Sequence, residues 1–159
     1  MYKLPRMNQD ELHEVLHSQV LCRIAFNDVN YPYIAPFQYV FLNEVLYFQF
    51  TNYGRKIRIL NQDNRVCVEV ESYTADLSQY SFITIRGKLI EVTDPVERKD
   101  VINHIAQTGN ARFSPQFLAA HGLQVNQTWT SYTADKPFLI LKLVQIVEMF
   151  GLKSPSHPS

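Results

Sequence analysis

Apolar and polar residues alternate along much of the chain, which predicts a protein built mainly of β-strands. In one such run, Val66, Val68 and Val70 alternate with polar or small neighbours, as in a strand with one buried face. The predicted strands cover residues 20–26, 31–42, 45–51, 66–71, 80–92 and 136–150. Strands in this order, closed by a late one and joined by turns such as Asn43-Glu44, predict a small antiparallel barrel.

The alternation also predicts which side chains share a face of two of these strands. In the strand at residues 45–51 the two predicted faces carry Leu46, Phe48 and Phe50 on one side and Tyr47, Gln49 and Thr51 on the other. In the strand at residues 80–92 we expect Thr84, Arg86 and Lys88 to face solvent and Ile83, Ile85 and Leu89 to face inward.

The strand at residues 31–42 differs from the others because it is apolar on both faces. Such a strand is covered on both sides, by a helix or by another subunit. Pro36 has no backbone N–H to donate to a ladder, so we expect the strand to lie at a sheet edge or to bulge there. Either arrangement leaves backbone groups free for a ligand, and a plain edge strand explains the pattern equally well.

Helix start signals and helical periodicity predict four short helices around this barrel. They run from a cap at Asn8 or Asp10 to about Ser18, over residues 57–60, from a cap at Asp94 to about Gln107 with Gly109 past the end, and from Ser114 to Ala120. The face of the third helix that we expect to be buried carries Val101, Ile102, Ile105 and Ala106.

The length and charge of the chain limit the number of domains and the kinds of partner that we expect. A chain of 159 residues predicts one domain, taken as residues 1–153, before a Ser- and Pro-rich tail at 154–159. Its 15 basic and 15 acidic residues cancel, which argues against a nucleic-acid or acidic-membrane partner. With neither a signal peptide nor an apolar run of spanning length in the sequence, we expect a cytoplasmic protein. Cys22 and Cys67 then predict buried free thiols rather than a disulfide.

One short motif suggests a metal site. His13-Glu14-Val15-Leu16-His17 has the H-E-x-x-H spacing with which zinc peptidases bind their metal and activate water. No third ligand is evident at a suitable distance, and the two histidines flank the apolar stripe of the first helix on its polar side. We therefore prefer a chance occurrence and keep zinc as a minor alternative.

The strongest functional signal is the corner Thr51-Asn52-Tyr53-Gly54-Arg55-Lys56, which joins a strand to a helix. A helix start offers unpaired N–H groups and the positive end of the helix dipole. Arg55 and Lys56 add two full charges, and Thr51 adds a hydroxyl donor. The pattern predicts a site for a phosphate group, although Arg55 and Lys56 are also explained as solvated helix cations.

Several segments in this order resemble the FMN-binding split-barrel proteins, the superfamily of pyridoxamine 5'-phosphate oxidase and of the nitroimidazole-resistance reductases. Phe50-Thr51-Asn52-Tyr53-Gly54-Arg55-Lys56 looks like the aromatic-Thr-Asn…Ser-Arg-Lys phosphate motif of the oxidase, one residue shorter. Tyr33-Ile34-Ala35-Pro36-Phe37-Gln38-Tyr39 is similar to the strand whose backbone lies along the flavin ring in the reductases. The resemblance covers roughly residues 9–93, with 140–153 similar to the closing strand.

This resemblance implies a mainly β fold, a six-stranded antiparallel split barrel with peripheral helices, and a homodimer with two FMN molecules at the subunit interface. Carried over by position, it implies that Thr51, Arg55 and Lys56 hold the phosphate and that Asn52 and Tyr53 shape the turn. The residues implied to line the flavin ring are Pro36, Phe37, Gln38 and Tyr39. Trp129 is a candidate to cover the flavin from the second subunit, or else a packing residue.

The implied function is that of an FMN-dependent oxidoreductase that passes electrons from a reduced nicotinamide to a small substrate. No acid–base residue or nucleophilic set is readable in the sequence. Gln49 stands where the nitroimidazole branch usually has histidine, and Phe82 where it often has serine, which argues against nitro-group reduction. The alternative is a non-catalytic module that binds flavin, haem or a deazaflavin.

Overall fold

In the part of the chain that the structure describes, six antiparallel strands close into a barrel, which is accompanied by four helices. The computed structural model describes residues 3–120 and 138–155. The elements are α1 (Gln9–Ser18), β1 (Leu21–Phe26), β2 (Tyr33–Leu42), β3 (Val45–Thr51), α2 (Arg55–Gln62), β4 (Arg65–Tyr73), β5 (Tyr80–Glu91), α3 (Pro95–Arg112), α4 (Pro115–Ala120) and β6 (Phe138–Lys153). The strand order around the barrel is β1-β2-β3-β6-β5-β4. The six-stranded antiparallel barrel predicted from the sequence is confirmed.

Alternate residues of every strand fill the barrel, as the period of two predicts. Val66, Val68 and Val70 of β4 are buried, and so are Ile83, Ile85 and Leu89 of β5, as expected. Of the three residues expected to face solvent, Arg86 is exposed, whereas Thr84 and Lys88 are half-buried. The core inside the barrel also contains Leu46, Phe48 and Phe50, the predicted inner face of β3.

A second core forms where α3 packs on the outer face of β2, β3 and β6. It contains Val40, Tyr47, Val101 and Ile140, with Ile102 and Ile105 half-buried at its border. The prediction that α3 ends near Gln107 is wrong, because the helix continues to Arg112. Gly109 does not end the helix. It is buried inside it, four residues after Ile105 on the face that meets the barrel.

Other element boundaries differ from the predictions by a few residues. Helix α1 is capped by Asn8, whose side chain accepts from the N–H of Glu11 as predicted for a cap there. Helix α2 is longer than expected and includes the two cations of the corner in its first turn. Ser154 donates its N–H to the carbonyl of Tyr80 over 2.8 Å, while 156–159 lie outside the described residues, so the tail stays a prediction. None of the described helices has both the length and the apolar character needed to cross a bilayer.

One half-buried charged cluster fixes α3 to the barrel. Glu97 accepts hydrogen bonds from Lys142 Nζ and from the Tyr47 hydroxyl, each at 2.8 Å. Lys142, with the help of Tyr47, holds the pKa of Glu97 below its ordinary value. A carboxylate whose pKa is lower in the folded state contributes stability above its unfolded pKa, and this contribution is lost as the pH falls through the folded pKa.

We therefore expect Glu97→Gln to lower the free energy of unfolding at pH 7 by about 1–2 kcal/mol, the scale of a charged hydrogen bond. The difference from the wild type should shrink as the pH falls below about 4, the ordinary pKa of a glutamate in the unfolded chain, and should disappear once the pH is below the lowered pKa of the folded state. Urea unfolding at several pH values measures this. The control is Glu148→Gln, which removes an exposed ion pair with Arg86 and should cost about 0.5 kcal/mol or less. An equal loss for Glu97→Gln at pH 3 and pH 7 would contradict the assignment.

Candidate functional site

The first half of β2 has a free edge. Strand β2 pairs with β1 from Tyr33 to Gln38, but its ladder with β3 covers only Tyr39 to Leu42. Beyond that point β3 pairs with β6 through Thr51, so β2 and β3 separate. Pro36 lies within the free half, where its missing N–H breaks no ladder with β3. The sequence-based prediction of an edge at Pro36 is confirmed.

Two buried aromatic rings bridge this split between β2 and β3. The rings of Phe37 on β2 and Phe50 on β3 are parallel within 10°, with centroids 4.4 Å apart. Lys56, in the first turn of α2, places its ammonium nitrogen 5.2 Å from the centroid of Phe37 and 5.5 Å from that of Phe50. The corner predicted to bind a phosphate therefore lies directly over the split.

Lys56 carries a charge in a partly desolvated position. Its side chain is half-buried, and burial lowers its pKa. Within the part of the chain that the structure describes, its ammonium group has neither a carboxylate nor a hydrogen-bond acceptor, and only the two aromatic faces compensate its charge. A half-buried cation without a counter-ion is a place where an anionic ligand gains most from binding.

The backbone of the corner also suits an anion. Gly54 precedes α2 with a φ of 96°, a conformation that glycine adopts readily, and no side chain caps the helix. The first N–H groups of α2 therefore face outward without a side-chain acceptor. The Thr51 hydroxyl donates to the carbonyl of Tyr53 over 3.2 Å, which shapes the turn. Asn52 and Tyr53 are exposed.

Arg55 is already paired with a carboxylate. Its Nε and Nη2 donate to the same oxygen of Asp28, at 3.1 and 2.7 Å, and its guanidinium lies 4.8 Å from the centroid of Tyr33. The sequence interpretation missed Asp28, which it treated as part of a turn after the first strand. A polar turn gives no local sign of the helix that it meets, so only the fold brings Asp28 to the corner.

The four residues predicted to line a flavin ring do not share one face of β2. Phe37 and Tyr39 are buried in the barrel, and the Tyr39 hydroxyl donates to the carbonyl of Leu16 over 2.9 Å. Pro36 and Gln38 are on the outer face, where Pro36 is exposed. A flat ligand along this edge would therefore contact backbone rather than all four side chains.

Gln38 is the last residue before β2 joins β3, and its amide nitrogen is buried without a hydrogen-bond partner within residues 3–120 and 138–155. It lines a cavity of about 10 Å³ between β2, β3 and α3, together with Gln49 and Tyr47. A space of that size holds one water and not a ring system. Burial, with a contribution from Glu97, raises the pKa of Tyr47 to about 12, so its hydroxyl stays protonated at neutral pH.

The remaining candidate residues do not join this site. His13 and His17 pack against the ring of Phe41, and the described residues contain no group of three side chains suited to a metal. Cys22 and Cys67 are both free, Cys22 buried in the barrel and Cys67 half-buried on the outer face. Trp129 lies outside the described residues, so its predicted role is untested.

The chain belongs to the pyridoxamine 5'-phosphate oxidase family, because the model of that family matches residues 8–125. No curated protein sequence matches the chain. Solved structures with a similar fold include an FAD-binding protein of Mesorhizobium loti, which is 18% identical, with a TM-score of 0.67 and coverage of 97% of this chain and 100% of the other.

Two further solved structures extend the range of described functions on this fold. An FAD and haem binding protein of Mycobacterium smegmatis is 13% identical, with a TM-score of 0.68 and coverage of 96% of this chain and 74% of the other. A candidate 5-nitroimidazole antibiotic resistance protein of Bacteroides thetaiotaomicron is 18% identical, with a TM-score of 0.61 and coverage of 97% and 92%. At these identities the likeness establishes the fold alone.

If Lys56 is held in place for a ligand, it should contribute little to folding. Replacing it by methionine keeps the apolar contact with Phe37 and Phe50 and removes a partly desolvated charge. We expect Lys56→Met to leave the free energy of unfolding of the ligand-free protein unchanged or to raise it by up to about 1 kcal/mol. The control is Lys99→Met, an exposed site on α3. A loss of more than about 1 kcal/mol in urea unfolding would show a structural role instead.

Proposed function

We propose that this protein binds FMN in a site shared by two subunits and acts as an FMN-dependent oxidoreductase. The observation that carries the proposal is the position of Lys56. It is a half-buried cation without a counter-ion among the described residues, at a strand-to-helix corner directly over the free edge of β2. A ligand that carries both a phosphate and a flat ring needs a cation and a free strand edge next to each other.

The corner fits the phosphate of FMN. Lys56 supplies a point charge, the uncapped start of α2 supplies backbone donors, and Arg55 supplies a planar fork. Thr51 adds a hydroxyl whose present acceptor is the exposed backbone of the turn, so it can turn to a phosphate oxygen at little cost. Asn52 and Tyr53 act by shaping this turn.

The free half of β2 fits the flavin ring. Among the described residues its backbone groups on the side of β3 have no ladder partner, so they can hydrogen-bond to the polar edge of the ring, and Gln38 lies at the end of this free half. The aromatic pair Phe37 and Phe50 forms the apolar floor of the split. Pro36 and Tyr39 support the site by their place in the strand, and Trp129 is proposed to cover the flavin.

The proposal of a homodimer is supported by exposed apolar side chains on the barrel surface. On the outer face, Ile34 of β2 is 61% exposed two residues before Pro36, and Leu21 of β1, which pairs with Gln38, is 52% exposed. Late in β6, Val147 is 77% exposed between Ile146 and Met149. Exposed apolar side chains that cluster on a surface mark interfaces in soluble proteins.

Light scattering at micromolar concentration should give the mass of a dimer, and a monomer would contradict a shared site.

When bound, the flavin supplies the redox chemistry by accepting and donating electrons. The task of the chain is then to bind the phosphate and to orient the ring along β2. The fully protonated Tyr47 and the buried Cys22, whose pKa is raised by burial, are not poised for acid–base or nucleophilic work. Gln49 borders the small cavity beside Gln38, where it can accept or donate a hydrogen bond without changing charge.

The cofactor and the reaction can be tested on the purified protein. Release of the bound molecule by heat and its identification by mass should yield FMN. Addition of a reduced nicotinamide under anaerobic conditions should then bleach the flavin absorbance. A different released cofactor overturns the FMN assignment, and bound flavin that no reduced nicotinamide bleaches overturns the enzyme assignment while leaving the binding site intact.

Removal of either corner cation should weaken FMN binding. We expect Lys56→Ala and Arg55→Ala each to cost roughly 1.5–3 kcal/mol of FMN affinity, the scale of a charge-assisted hydrogen bond. Titration of the apoprotein with FMN, followed by the quenching of flavin fluorescence, measures this. Lys99→Ala removes a charge from the exposed side of α3 and should leave the affinity unchanged. Unchanged affinity in both corner variants would place the phosphate elsewhere.

The second candidate is a non-catalytic module that binds flavin, haem or a deazaflavin. It is favoured by the fold shared with the Mycobacterium smegmatis protein that is described as binding FAD and haem. The absorbance spectrum separates these possibilities, because a Soret band indicates haem and the two visible bands of an oxidised isoalloxazine indicate flavin.

A further inference from the structure

The charge balance of the corner depends on a residue from outside it. The loop between β1 and β2 brings Asp28 to the start of α2. There one carboxylate oxygen accepts two hydrogen bonds from Arg55, from Nε over 3.1 Å and from Nη2 over 2.7 Å. The other oxygen accepts the N–H of Val29 over 2.9 Å. The neighbouring Asn27 donates to Asp63 at the far end of α2 over 3.1 Å, so the loop is attached along the helix.

This pairing occupies the part of Arg55 that would recognise a phosphate. A guanidinium binds carboxylates and phosphates through the same planar set of N–H donors. Tyr33, beneath the guanidinium at 4.8 Å, limits where the fork can turn. A phosphate at the uncapped start of α2 therefore either displaces Asp28 from Arg55 or binds with an anionic carboxylate beside it.

Asp28 changes the net charge at the start of α2. The first turn of α2 carries Arg55, Lys56 and Arg58 and contains no acidic residue. Both Arg55 and Arg58 act on Asp28 and lower the pKa of its carboxyl group, so it is ionised at neutral pH. Asp28 thus cancels one of three positive charges where a phosphate would bind.

We infer that Asp28 is a specificity-determining residue, which competes with the phosphate for Arg55 and thereby sets how strongly the site prefers a phosphorylated flavin over an unphosphorylated one. This inference rests on the proposed function, since it concerns the same flavin site. The competition acts only on the phosphate end of the ligand. Riboflavin lacks the phosphate, so we expect its binding not to depend on this competition.

The test is Asp28→Asn, which removes the charge and keeps an oxygen that can accept the N–H of Val29. Apoprotein is titrated with FMN and with riboflavin, and the ratio of the two dissociation constants is compared with that of the wild type. We expect the dissociation constant for FMN to fall about fivefold or more, the scale of one partly screened charge a few ångströms away. That for riboflavin should change less than twofold. Asp28→Ser, a second neutral variant, should shift the ratio in the same direction.

The chain offers a closely matched control. Asp63 is held by Arg65 in the same manner, with Nη2 at 2.7 Å and Nε at 2.9 Å from its oxygens, but it lies at the other end of α2. Asp63→Asn removes the same charge from a similar ion pair, keeps an oxygen that can accept the hydrogen bond from Asn27, and should leave the ratio unchanged. This control separates a local effect on Arg55 from a general change in protein charge.

The outcomes are distinct for the two proposals. If the wild type binds FMN and the ratio in Asp28→Asn is unchanged, or if both flavins change equally, Asp28 does not compete with the phosphate and this inference is overturned while the proposed function stands. A shift of the same size in Asp63→Asn also overturns it. If neither flavin binds to the wild type or to the variants, the proposed function fails, and this inference fails with it.

Discussion

The separation of β2 from β3 is the constraint on which the rest of this site depends. Strand β3 pairs with β2 only over its first four residues and with β6 over its last five. The free half of β2 therefore ends in a gap, which the barrel closes by stacking Phe37 on Phe50 rather than by backbone hydrogen bonds. A gap closed by side chains leaves an unpaired strand edge at the surface, and this is the only kind of edge in a closed barrel that a flat ligand can use.

The corner at the end of β3 is placed over this gap by the same divergence. Because β3 leaves β2 to follow β6, the chain turns at Gly54 above the aromatic pair, and the first turn of α2 lies on Phe37 and Phe50. Lys56 is consequently only partly solvated, and among the described residues only aromatic faces lie beside its ammonium group. We expect such a charge to contribute little to folding and much to binding, which is the usual balance at a functional site.

The two corner cations are thus not equivalent. Lys56 has no counter-ion among the described residues, whereas Arg55 is held by Asp28 and Tyr33. Lys56 is therefore directly available to a phosphate, whereas Arg55 must first release the carboxylate of Asp28. In the proposed site a phosphate competes with Asp28 for Arg55, so the selectivity that we propose depends on the loop between β1 and β2 as much as on the corner itself. Helix α3 keeps the opposite side of β3 closed through Glu97, Lys142 and Tyr47.

The sequence by itself determined the strands, most of the helices and the corner, because these follow from patterns within a few neighbouring residues. The period of two in β4 and β5 and the run Thr51 to Lys56 carry their own signals, and Pro36 alone indicated a free edge. The predicted end of α3 is wrong because the sequence pattern places Gly109 just after the helix. In the structure this glycine is buried against the barrel, and the helix continues past it. Only the tertiary structure decided that Asp28 meets Arg55 and that Lys56 lies on two aromatic rings. Those contacts join residues from separate strands and loops, and their geometry depends on how the strands pair around the barrel, which no local pattern encodes.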